Sequence, residues 1–343
     1  MPLSVKKVCL AMCFPIKHWH ISSQEDCLMQ KDAMPKSMKS FLSGFQESLT
    51  LHQNMPDGFI NLTAYSILPG IFLVINDIHT QSVPSNRENM PQDILVINYC
   101  TQGRCEFNIN EDSYSYVDTN IMNISSQMVS DAFFYPSSYY FGYEVYVLSS
   151  RFTDETRKTL ELFSIDIKEL IPLYQNGAAF YAPVSIVRLW KHIADNCTTD
   201  NIGQLRLDTL QLLKYFCDNK PLKSANILYL SKVQAMLAKK AQEMLTRDLS
   251  SHLSMKSVSK ELGVSETSLK RYFQAVYGTN ISTYMNETRM KYAARLLSSS
   301  KDSVSDIAKA CGYVNQGRFA SVFREFHGMK PLDYRRNAKG LTD

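Results

Sequence analysis

Two stretches decide the fold: Glu261-Leu-Gly-Val-Ser-Glu-Thr-Ser-Leu-Lys-Arg-Tyr-Phe273 and Ala310-Cys-Gly-Tyr-Val-Asn-Gln-Gly-Arg-Phe-Ala-Ser-Val-Phe323. They are copies of one unit. Gly263 and Gly312 stand 49 residues apart, and Leu269/Phe273 matches Phe319/Phe323 as an i, i+4 apolar pair. Each pair closes five residues before a glycine, Gly278 or Gly328, and the second copy has one extra residue in its turn. In the first copy Met255–Leu262 reads as a helix leading to Gly263, where a left-handed backbone costs least. Ser265 then suits the N-cap of the next helix. In the second, Val304–Cys311 leads to Gly312, and Asn315 takes the cap position. This is the helix-turn-helix layout, whose second helix enters the DNA major groove by its N-terminal residues.

Such a turn also occurs in plain helical proteins, so the surrounding charge matters. Residues 230–343 carry 19 Lys and Arg against 10 Asp and Glu, a net +9, whereas residues 1–229 carry 18 against 23, a net −5. Two copies in the basic third point to a polyanion partner for that third alone. Between them, Ile281, Tyr284, Met285, Thr288, Tyr292 and Leu296 fall on one side of a helix over 281–297, a stiff connector. Val233, Leu237, Ala241, Met244 and Leu245 predict an amphipathic helix ahead of the first copy. Two recognition helices on a rigid connector can meet successive major-groove segments about 34 Å apart.

Asp306-Ile307-Ala308, Cys311-Gly312-Tyr313, Phe319, Val322-Phe323-Arg324, Phe326, Gly328, Pro331, Tyr334 and Arg335 resemble the second-repeat signature of AraC/XylS-type transcription regulators. The resemblance covers about residues 230–337. More loosely, residues 58–150 followed by helices over 184–217 are similar to the cupin-like sensing and dimerisation domain of many members. The resemblance implies a cytoplasmic, sequence-specific regulator of double-stranded DNA, most often an activator, that carries out no catalysis. By position it implies base contacts from Thr267, Lys270 and Arg271 in the first recognition helix, and from Gln316, Gly317, Arg318 and Ser321 in the second. Arg or Lys can pair bidentately with guanine and Gln with adenine, while Thr can touch a thymine methyl. Many members have Arg or Lys where Ser321 stands and a polar side chain at Gly317, so the second helix reads fewer bases unless Arg318 compensates. The plain alternative for each side chain is a phosphate contact or none. Lys256, Lys291, Arg295, Arg324, Arg335 and Arg336 are phosphate neighbours or solvated charges.

The acidic front end reads differently. From Gly58 to about Ser150, short β-branched and aromatic runs are broken by turn residues: 60–68, 71–78, 94–100, 105–109, 114–117, 121–125 and 143–148. Thr101-Gln-Gly-Arg104 is a hairpin candidate. Helices follow over 154–163, 184–196 and 202–216. In the last, Ile202, Leu205, Thr209, Leu212 and Phe216 form one stripe and Leu207, Leu210 and Leu213 a second. One stripe can cover the barrel while the other meets a second copy of the chain; a helix buried in its own domain is the alternative. The expected organisation is α+β. An extension occupies 1–50, a cupin-like β-barrel with dimerisation helices 51–220, a linker 221–229, and an all-α double helix-turn-helix domain 230–340.

Tyr99, Arg104, Tyr135 and Tyr143 are candidates for an effector pocket, offering stacking faces, hydroxyls and one cation for an anionic molecule. As core and rim packing they need no ligand. Expected partners are DNA, a small-molecule effector, a second copy and RNA polymerase, with no membrane.

Composition closes off other classes. With 343 residues and 45% hydrophobic content, the chain suits two ordinary domains of about 100–200 residues each. No apolar run approaches the roughly 20 residues that span a bilayer. Lys6-Lys7 and Val8–Phe14 imitate a leader, but Pro15 and Lys17 end the run too soon. Met12 is too bulky for a lipoprotein box. The eight cysteines form no CxxC pair and read as reduced thiols. His79 is the histidine read within a strand, without a His-x-His beside it, so a metal oxygenase is not expected. His18-Trp-His20 with Cys9, Cys13 and Cys27 has spacing too loose for a metal site, and no metal or cofactor is expected. The rival function is an Ada-like alkylation-repair regulator, echoed by Cys9-x3-Cys13, though the CxxC and Pro-Cys-His-Arg elements of that class are missing.

Overall fold

The computed structural model describes residues 20–21, 48–84, 93–110, 112–126, 132–220 and 229–340. It divides into two compact units, Met1–Tyr229 and Leu230–Asp343.

The first unit is built on antiparallel strands: β1 (His20–Ile21), β2 (Ser48–Met55), β3 (Gly58–Leu68), β4 (Ile71–His79), β5 (Ser82–Pro84), β6 (Ile94–Gly103), β7 (Cys105–Asn110), β8 (Ser113–Val117), β9 (Ile121–Ser125), β10 (Ala132–Phe134), β11 (Tyr140–Leu148) and β12 (Ala178–Tyr181). Eight of them form one sheet in the order β1-β2-β3-β4-β11-β6-β9-β12. β5 pairs with β10, and β7 with β8, as separate ribbons. The expected barrel is therefore an open sheet among the described strands, with β1 and β12 at its edges. The reason lies in burial on both faces. Ile67, Leu73, Ile97, Ile124, Val145 and Val147 pack under the helices. Their neighbours Phe72, Val74, Ile94, Cys100, Tyr140 and Tyr146 pack with Cys105 and Val117 of the β7–β8 ribbon and Val83 of β5. The sheet is a middle layer covered from both sides and needs no closure on itself.

Three expectations change here. The hairpin at 101–104 does not form: β6 bonds to β11 and β9, while β7 bonds to β8. Gly103 has φ +80°, and the Arg104 N–H donates to the Tyr139 carbonyl at 3.4 Å, so the chain leaves the sheet for the ribbon. β2 straddles the expected end of the extension at residue 50, and β1, within that extension, pairs with β2. β2 also adds His52 to the strands, its Nδ1 2.7 Å from Asn61 Oδ1.

The covering helices are α1 (Asp154–Leu162), α2 (Ile167–Leu173), α3 (Val184–Thr198) and α4 (Ile202–Asp218). Thr153, Asp166 and Asn201 cap α1, α2 and α4, each accepting from backbone N–H groups of the first turn. α3 buries Ile186, Leu189, Trp190 and Ile193, the expected i, i+3, i+4, i+7 face. In α4 both stripes enter the same core: Leu205, Leu212 and Phe216 from one, Leu210 and Leu213 from the other. Of the second stripe only Leu207 faces outward, 55% exposed. That stripe is thus occupied within its own unit.

The second unit is helical: α5 (Lys232–Thr246), α6 (Met255–Glu261), α7 (Glu266–Tyr277), α8 (Ile281–Ser299), α9 (Val304–Ala310), α10 (Gln316–His327) and α11 (Pro331–Gly340). α5 buries Ala235, Ala238, Ala241 and Leu245, while Val233 is exposed. Small side chains let the backbones approach, so alanines take places expected for larger residues. On α8 the buried side is Met285, Arg289, Met290, Ala293, Ala294 and Leu297, turned from the predicted stripe for the same reason. Its second half shares a core with Val304, Ile307, Phe319 and Phe323 of the second copy.

Candidate nucleic-acid interface

The two copies are capped as expected. Ser265 Oγ accepts from the Ser268 N–H at 3.1 Å to start α7, and Asn315 Oδ1 accepts from the Arg318 N–H at 2.9 Å to start α10. Gly263 (φ +69°) and Gly312 (φ +79°) make the turns, a backbone region that L side chains enter at about 1–2 kcal/mol. Leu269/Phe273 and Phe319/Phe323 are fully buried, so the opposite face of each second helix is forced outward.

That outward face holds all seven candidate base readers, Thr267, Lys270, Arg271, Gln316, Gly317, Arg318 and Ser321, each exposed. Their settings differ. Lys270 Nζ is 2.5 Å from Glu266 Oε1, and the Arg271 guanidinium lies 5.4 Å from the Tyr272 ring centre. A base contact by either would replace these exposed partners, a small loss by the measure of surface ion pairs. Val314, the extra turn residue just before the Asn315 cap, is an apolar side chain 99% exposed. Among the expected phosphate neighbours, Lys256, Lys291, Arg295 and Arg324 are exposed, with Arg295 5.1 Å over the Tyr292 ring. Arg335 is different: it is half-buried, and its Nη2 donates to the Asp302 carbonyl at 2.6 Å. Exposed Arg336 sits 3.7 Å from Asp333.

Residues 258–337 match a family model described as a helix-turn-helix domain. The transcriptional activator RhaR of Yersinia pseudotuberculosis is 35% identical over 91 residues, 26% of this chain and 31% of that protein. The porin thermoregulatory protein EnvY of Escherichia coli is 30% identical over 91 residues, 26% of this chain and 36% of that protein. Over this C-terminal region the chain is similar to AraC-type transcription regulators. The match spans about a third of the length of these relatives. Among solved structures, an AraC-type regulator from Chromobacterium violaceum aligns at 27% identity over 30% of this chain and 92% of its own, with a TM-score of 0.29.

The four candidate effector residues are not brought together. Tyr99 and Tyr143 lie on the helix side of the sheet, their rings 5.3 and 5.9 Å from that of Trp190. Tyr135 belongs to the core on the other side. Arg104 is ion-paired with Asp118 and sits 5.3 Å over the Tyr116 ring; burial pushes its pKa down. What the ribbon side gathers instead is a polar row. Glu144, Asn98 and Asn123 are direct cross-strand neighbours on β11, β6 and β9. Asn98 Nδ2 donates to Glu144 Oε1 at 2.8 Å. Tyr140 and Tyr146 donate to Asn98 Oδ1 at 2.8 Å and to Glu144 Oε2 at 2.6 Å. Asn123 Oδ1 and, on β8, Ser115 Oγ are buried with no hydrogen-bond partner among the described groups. No local motif marks this row, because it exists only once the strands are in register.

Among the described residues no group of three or more His, Cys, Asp or Glu could hold a metal ion. No described helix is long and apolar enough to cross a membrane. Cys9, Cys13, Cys27 and the His18-Trp-His20 side chains lie outside the described residues, as does most of the 221–229 linker. The described cysteines, Cys100, Cys105, Cys197, Cys217 and Cys311, are all buried. Burial pushes Cys100 up to about 12 and Cys311 up to about 11, the opposite of what a methyl-accepting thiolate requires.

Proposed function

We propose that this chain is a sequence-specific, DNA-binding transcription regulator that reads duplex DNA with α7 and α10 and responds to a small molecule held in its sheet-rich unit. The observation that carries the reading is the repeated outward face: each recognition helix buries its i, i+4 apolar pair, Leu269/Phe273 or Phe319/Phe323, and offers its cap-proximal polar residues to solvent. Bases would be read by Thr267, Lys270, Arg271, Gln316, Gly317, Arg318 and Ser321. Lys256, Lys291, Arg295 and Arg324 would position the phosphates, with Arg335 more firmly engaged by its own chain. An activating role is supported by the name of the matched relative RhaR, a transcriptional activator; RNA polymerase would be the partner in that role.

The effector's place in this reading is the Glu144–Asn98–Asn123 row, in preference to the four dispersed residues. With the Glu144 carboxylate in it and Arg104 held by Asp118, the row suits a neutral or cationic molecule rich in hydrogen-bond donors, not an anion. Pairing of two copies, if through α4, would use Leu207 and its exposed polar neighbours.

The test is to incubate the full-length protein with sheared genomic DNA across a salt series and to sequence what is retained. Retained fragments sharing a motif, with affinity falling steeply as salt rises, are expected. Retention without any motif would remove the base readers, and no retention at any salt would overturn the proposal.

A further inference from the structure

α8 joins the two helix-turn-helix copies, but a second tie runs beside it. Arg289, on α8, is a charged residue only 8% exposed. Its Nε donates to the Leu249 carbonyl at 3.2 Å and its Nη2 to the Ser251 carbonyl at 3.0 Å. The same Nη2 lies 3.3 Å from His252 Nδ1, and His252 Nε2 lies 2.8 Å from the Gly312 carbonyl. A carbonyl only accepts, so Nε2 carries the hydrogen, and Nδ1 accepts from the guanidinium. One chain of hydrogen bonds thus runs from α8, through the loop that leads into the first copy, to the turn of the second.

Apolar packing beside this link is incomplete. Leu253 is 42% exposed, and a cleft of about 230 Å³ opens between the loop and α8, lined among others by Leu253, Met255, Ile281 and Met285. Turn and loop nevertheless fit closely. A Cβ on Gly312 would come within 2.8 Å of the Leu249 carbonyl oxygen and 3.4 Å of Arg289 Nη2. The loop keeps its own shape through Asp248, whose carboxylate accepts from the Ser250 N–H at 3.0 Å and the Ser250 hydroxyl at 2.6 Å.

We propose that Arg289, acting through the 249–252 loop and His252, is a positioning residue that fixes the offset between the two recognition helices and so sets the separation of the two DNA half-motifs. It touches no DNA itself, being buried and turned to carbonyls. The proposal rests on the reading that α7 and α10 each contact bases.

The experiment is selection of duplexes from a random library by the full-length protein, comparing wild type with Arg289→Met, which keeps the buried volume, and His252→Ala, which cuts the link to Gly312. Wild type should select two half-motifs at one fixed separation. Arg289→Met should select the same half-motifs at several separations. Its affinity for the fixed-separation duplex should fall about tenfold, the loss expected when linked sites no longer fit together, while affinity for an isolated half-motif stays within about twofold. Should Arg289→Met fail to fold, exposed His252→Ala gives the same reading with a smaller spread of separations. A variant pool that keeps one separation, or half-motif and paired affinities that fall together, would overturn the positioning role. Selection of no paired motif by wild type would instead overturn the functional reading on which it rests.

Discussion

The two helix-turn-helix copies share a plan and differ in what surrounds it. In both, the residue after the turn glycine donates its N–H to a carbonyl five residues back: Val264 to Ser259 at 3.0 Å, Tyr313 to Ala308 at 2.9 Å. Tyr313 therefore takes the place of Val264, and the extra residue of the second turn is exposed Val314. The glycines differ too. A Cβ on Gly263 would meet nothing within 4 Å, whereas one on Gly312 would run into Leu249 and Ser250 carbonyls. The first turn is free at the surface and the second is braced. Local chemistry makes each motif, and contacts distant in sequence decide how much freedom it keeps.

The comparison can be broken at its core. Phe273→Ala and Phe323→Ala should each destabilise the chain by about 3–5 kcal/mol, as buried aromatic truncations do. Urea unfolding measures it, and a loss below about 1 kcal/mol in either copy would show that its pair is not a true core. The turns sharpen the contrast. Gly263→Ala should cost about 1–2 kcal/mol, the left-handed backbone penalty alone. Gly312→Ala should add about 1–3 kcal/mol of overpacking against the loop. Equal losses, read in the same unfolding series, would deny that the second turn is braced. At the caps the copies should agree again: Ser265→Ala and Asn315→Ala should each lose about 1 kcal/mol by thermal unfolding. The smallest effect belongs to Val314→Ser, with stability changed by less than about 0.5 kcal/mol. If Val314 meets a thymine methyl, sequences selected by this variant should lose a thymine preference beside one half-motif; an unchanged motif would leave Val314 outside the interface.

How far the sequence carried the fold depended on whether a signal was local. The turn glycines, Ser265, Asn315 and the Leu269/Phe273 and Phe319/Phe323 pairs lie within a few residues of one another, and their geometry is as read. The core strands of the first unit, rich in Ile and Val, were legible for the same reason. β2 was missed because Ser-Leu-Thr-Leu-His-Gln-Asn-Met offers only two leucines to its period-2 pattern. β12 and α2 are short, and Pro172 lies inside α2. Partners in space were not legible at all. The 101–104 turn looks like a hairpin in either topology, and Leu210 and Leu213 form a stripe whatever covers it. At the site, the cap positions marked which side chains of α7 and α10 face outward. Arg289 stayed hidden because an arginine on an amphipathic helix reads as surface until its carbonyl partners, about forty residues away in the chain, are in place. The Glu144–Asn98–Asn123 row required the register of three strands.

The most direct test of the central claim, that each recognition helix reads its own bases, compares genomic DNA retained by the full-length protein with that retained by Arg271→Ala and Arg318→Ala. Each variant should relax one half-motif and leave the other intact, with affinity for the wild-type site reduced by about 1–3 kcal/mol, the worth of a lost bidentate base contact. If both variants weaken binding uniformly across sequences and keep the full motif, the two arginines contact only phosphates, and the account of paired base reading is contradicted.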